Sequence, residues 1–62
     1  MATKQTRKLT AEAKDTIAVY ADLIEVKRAA LRKAVDEGDA VGVTLNAQII
    51  ATCSRWVREA AK

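Results

Sequence analysis

The sequence predicts an all-α protein, a helical hairpin that assembles with further copies of itself into a four-helix bundle or a ring. Three observations predict it. The 62 residues include no proline. Apolar residues recur at three- and four-residue spacing along almost the whole chain after residue 10. The two glycines, Gly38 and Gly42, lie together in the single break in that pattern.

The first helix is expected over 11–37. Thr10 supplies a side-chain oxygen for the first free amides, and Glu12 places an anion in the first turn, where the helix dipole favours one. Gly38 follows the last residue of the pattern, where a left-handed capping residue is needed. The stretch GDAVGV then reads as a linker, with Val41–Val43 too short to carry a strand. Thr44 reads as the cap of a second helix over 45–61.

On a helical wheel the first helix carries two apolar stripes. Ile17, Ile24, Leu31 and Val35 form one, with Ala13 and Tyr20 beside it; Val19, Leu23, Val26 and Ala30 form the other. Together they cover roughly half the circumference, wider than the ~100° that one partner requires. The second helix shows a single stripe of Leu45, Ile49, Ile50, Cys53, Trp56, Val57 and Ala60, too short to cover both. The surplus face is therefore expected to meet another chain, with Val19, Tyr20, Leu23, Val26, Lys27 and Ala30 as the oligomer interface. Lys27 falls between the stripes and has two readings: a stem lying along the core with its ammonium at the edge, or an inter-subunit ion pair.

Composition points the same way. A core below ~70–80 residues usually needs disulfides, a metal or oligomerisation. Cys53 is the only cysteine and there is no histidine, so an internal disulfide is excluded and no metal or other cofactor is expected. A single thiol fits a reducing compartment, and no stretch resembles a signal peptide or a membrane span. The expected location is cytoplasmic, or the host cytoplasm if the protein is viral.

No catalytic constellation is present, and the chain is not expected to be an enzyme. Ser54 and the threonines have no activating base, and Cys53 falls on the apolar stripe as an inert core thiol. Asp36, Glu37 and Asp39 lack the alternating ligand pattern of a calcium loop. Trp56, mid-stripe, reads as core rather than as a base-stacking platform.

The formal charge is +3, and residues 1–10 carry all of it through Lys4, Arg7 and Lys8; from Ala11 onward, eight bases balance eight acids. Residues 1–10 read as a flexible basic arm, and residues 11–62 as the hairpin oligomerisation domain. The arm has three readings: a solubilising end, an arm pairing with nucleic-acid phosphates, or a mimic. Thr3-Lys4-Gln5-Thr6 followed by Arg7-Lys8 resembles the start of a core-histone tail, but lacks that tail's arginine after the first alanine and its alanine after the second threonine. On the second helix Gln48, Arg55, Arg58 and Lys62 share one side, opposed there by Glu59 alone. Lys4, Arg7, Lys8, Arg55, Arg58 and Lys62 are thus the candidate phosphate contacts, with DNA favoured over RNA.

Residues 31–62 resemble the small terminase subunits of short-tailed bacteriophages, through Leu31, Gly38, Thr44, Leu45, Trp56, Val57 and Arg58: a long helix, a glycine hinge, a Thr-Leu helix start, then a bulky residue with basic neighbours. The chain is shorter than that family and shows no helix-turn-helix. The resemblance implies a ring that engages viral DNA and a large motor subunit during DNA packaging, with no catalytic residue of its own. In plan alone, the chain is also similar to RNA-binding hairpin dimers of the Rop type. The third reading is an inhibitor or adaptor docking on a viral or host protein.

Overall fold

The computed structural model describes residues 8–62. Two helices, α1 (Ala11–Glu37) and α2 (Ala40–Ala60), fold back on each other as an antiparallel hairpin. Thr10 caps α1 as expected, its hydroxyl accepting the Ala13 N–H at 3.0 Å. At the other end Gly38 adopts φ 71°, ψ 27°, the left-handed conformation that costs glycine no Cβ clash.

The turn is tighter than the sequence predicts. The Asp39 N–H donates to the Ala34 carbonyl at 2.8 Å and the Gly38 N–H to that of Val35 at 3.1 Å, the paired bonds of a Schellman ending. Asp39 also opens α2, because its carboxylate accepts the Gly42 N–H at 3.0 Å. One residue thus closes α1 and caps α2. GDAVGV is therefore not a linker: residues from Ala40 onward are helical, and Thr44 lies inside α2 rather than at its start. Gly42 is not a breaker either. A Cβ there would stand 2.5 Å from Asp39 Oδ2 and 3.1 Å from the Ala34 methyl, so its bare Cα lets the helices approach.

The seam between the helices follows a heptad spacing. On α1 Ala13, Ile17, Tyr20, Ile24, Lys27, Leu31 and Ala34 alternate four and three apart, and all are at least half-buried. On α2 Val43, Asn46, Ile50, Cys53, Val57 and Ala60 do the same. Such spacing keeps one seam facing one partner along the whole length of a helix. Asn46, on this seam, turns its side-chain amide back onto the Gly42 carbonyl at 2.8 Å. Among the described residues only Ala34 and Cys53, each 5% exposed, are buried. Two helices have too few neighbours to enclose a core.

Candidate nucleic-acid interface and assembly face

The remaining apolar residues make a second surface. Val19 and Val26 are 64% and 61% exposed, and Leu23 is also exposed. With Thr16 and Ala30 they form a stripe that repeats the four-three spacing about 100° around α1 from the seam. On α2 the residues Leu45, Ile49, Thr52 and Trp56 lie about 100° from their own seam, in the same rotational sense. Because the helices run antiparallel, both stripes turn to the same side of the hairpin. An open groove of about 690 Å³ marks where they meet, lined by Thr16 and Tyr20 from α1 and by Arg55, Trp56, Glu59 and Ala60 from α2.

This geometry corrects the reading of the aromatics. Trp56 is 51% exposed instead of core, and Leu45 is also exposed. The apolar residues of α2 that read as one stripe divide into a seam and an outward face. Tyr20 lies on the seam and packs edge-on against Trp56, with ring centroids 5.5 Å apart. Lys27 also falls on the seam. It is half-buried, and no carboxylate stands within ion-pair distance of it among the described residues. Of the six residues expected at an oligomer interface, Val19, Leu23 and Val26 are exposed, whereas Tyr20, Lys27 and Ala30 are half-buried.

The candidate phosphate contacts among the described residues lie towards the open end, away from the turn. Lys8 and Lys62 line one shallow depression with Leu9, Thr10 and Ala13, because the start of α1 stands beside the end of α2. Arg58 lies in the last turn of α2, where a cation suits the helix dipole. Lys62 Nζ approaches Glu59 Oε2 at 3.4 Å, with both side chains largely in solvent. Arg55 departs from this group, since it flanks Trp56 in the groove of the apolar side. Lys4 and Arg7 lie outside the described residues, but the chain that bears them enters the hairpin at this basic end. Asp36, Glu37 and Asp39 occupy the opposite end, with Arg32 and Lys33 one turn back along α1.

Among the described residues no three acidic, cysteine or histidine side chains could hold a metal ion, and Cys53 is buried. No helix among them is long and apolar enough to cross a membrane. No protein-family model matches the chain, and no curated protein or solved structure matches it significantly.

Proposed function

We propose that the chain is a non-enzymatic homo-oligomer that binds nucleic acid, most simply as a dimer of hairpins forming a four-helix bundle. The observation that carries this reading is the apolar stripe Val19–Leu23–Val26, which repeats the seam's spacing but is covered by nothing in the hairpin. Two seams roughly 90–100° apart are what a helix needs when it has two neighbours in a square bundle. Binding rests on the basic end: Lys8 and Lys62 line one depression where the arm with Lys4 and Arg7 begins, Arg58 lies in the adjoining last turn of α2, and a pair of chains carries twice the formal +3.

DNA packaging in the manner of small terminases is the second reading, supported by the resemblance over residues 31–62. Its Thr-Leu helix start does not coincide with the start of α2, which begins at Ala40. That displacement favours the bundle. An inhibitor or adaptor using the apolar face on a host protein would leave the basic end without a role.

Native mass and duplex binding across a salt series test both parts. A dimer supports the bundle; a closed ring of about eight or more chains supports the packaging reading instead. Alanine at Lys8, Arg58 and Lys62 together should weaken binding to all sequences alike and flatten the salt dependence, by about 0.9 in the logarithmic slope for each phosphate no longer neutralised. A binding curve unchanged by the three substitutions would sink the nucleic-acid assignment.

A further inference from the structure

We infer that the occupant of the apolar face is a second copy of this chain, seated so that α1 of each copy lies on α2 of the other with both turns at the same end. The inference rests on the oligomer reading and goes beyond it in naming the face, the orientation and the charge pairs.

The face is large enough for such a partner. Val19, Leu23, Val26, Leu45 and Trp56 are each between about a third and two-thirds exposed. Together they present on the order of 500 Å² of apolar surface, near the limit a monomer tolerates and most of the ~800 Å² each partner buries in a standard interface. The face is also self-complementary in shape. Trp56 stands at one end of α2 and smaller side chains line the stripe on α1, so a partner's Val19 and Leu23 offer a flat bed for the indole.

Charge selects the orientation. Along the outer edge of the face α1 carries Asp22 and α2 carries Arg55, with Glu59 of α2 also lining the groove beside Arg55. The level of each residue is fixed by two contacts: Tyr20 stands beside Trp56, and Ala34 beside Gly42. Counting from these, Asp22 is level with Ser54, one residue from Arg55. A two-fold axis parallel to the helices preserves level and places α1 of the partner on α2. Asp22 of one copy then meets Arg55 of the other, a pair that occurs twice. The other two-fold axis, across the helices, stacks α1 on α1 and leaves Asp22 and Arg55 on separate helix pairs. The parallel axis also brings both basic ends to one end of the dimer. Arg55 is on this account an assembly residue and not a phosphate contact.

Sedimentation or native mass spectrometry of the full chain across a dilution series, with Trp56 emission recorded in parallel, tests the arrangement. The wild type should be a dimer whose emission moves to the red on dilution, since Trp56 is the only tryptophan and leaves the interface as the dimer dissociates. Leu23→Lys should raise the dissociation constant by about a hundredfold or more, through an unpaired charge in an apolar contact. Asp22→Arg and Arg55→Asp remove no apolar surface and leave the hairpin seam intact. Each alone should weaken the dimer by about three- to tenfold, and the two together should restore it. A dimer indifferent to either reversal, or not restored by the pair, overturns this orientation while the oligomer reading stands. A ring overturns the two-fold pairing. A folded monomer at micromolar concentration overturns the oligomer reading itself.

Discussion

The two ends of the hairpin are built on opposite plans. At the turn the polar backbone groups have partners close by: Gly38 and Asp39 close α1, Asp39 opens α2, and a Cβ added at Gly42 would crowd the Ala34 methyl and displace the Asp39 carboxylate. At the open end the caps are single, the aromatics are half in solvent, and the cations outnumber their partners. The turn end devotes its residues to fixing geometry, whereas the open end leaves its chemistry available. Substitutions at the first should therefore register as stability, and those at the second as assembly or binding.

The largest stability effect is expected at Ala34. Enlarging a 5% exposed methyl that already faces the Cα of Gly42 forces the helices apart where the turn holds them together. Ala34→Leu should cost about 1–3 kcal/mol. Urea unfolding at one fixed protein concentration is the appropriate measurement, because apparent stability follows concentration in any assembling protein. Gly38→Val comes next, at about 1–2 kcal/mol, because a β-branched residue must take φ 71°. A loss near zero would mean that the turn can re-form with another residue in the left-handed position.

The two N-caps sharpen the contrast, since both accept from a backbone amide three residues on at 3.0 Å. Asp39→Ala should cost about 1 kcal/mol, because it removes the carboxylate that caps α2 at the turn joining the two helices while keeping the backbone bond to Ala34. Thr10→Ala should cost about half as much, because α1 can fray there without parting the helices. Equal losses, read from thermal melts of the two variants, would show the open end to be as tightly fixed as the turn.

This contrast also explains what is legible in the sequence. Thr10, Gly38 and the extent of α1 follow from local rules of capping and periodicity, and all three stand as read. The turn is harder to read, because Gly42 and the valines beside it look like loop when taken one residue at a time. Gly42 lies inside a helix because of a neighbour eight residues back, Ala34, and that approach exists only after the chain has folded. Trp56 escapes the sequence for a related reason. A wheel groups it with Cys53 and Val57, yet the seam is narrow when one helix faces one helix, and a residue on its flank stays in solvent. Among the candidate binding residues, periodicity groups Arg55 with Arg58. The structure sends one to the apolar side and leaves the other near Lys62. That division depends on where α1 lies, and α2 read by itself does not contain it.

The smallest stability effect is expected at Lys62, and it separates the two ends most cleanly. Its contact with Glu59, three residues back at the end of α2, is 3.4 Å long, between side chains 74% and 61% exposed. Water and salt screen such a pair, and holding two long side chains together offsets most of what remains. Lys62→Ala should therefore move the unfolding free energy by no more than about 0.5 kcal/mol. Lys62 also lines one depression with Lys8, where the basic arm enters the hairpin. Removing a cation that neutralises a phosphate there should lower duplex affinity and reduce the salt slope, with the melting curve nearly unchanged. If Lys62→Ala instead lowers stability by about 1 kcal/mol or more, this end is held by its ion pair, and the division between a structural turn and a chemically available open end no longer stands.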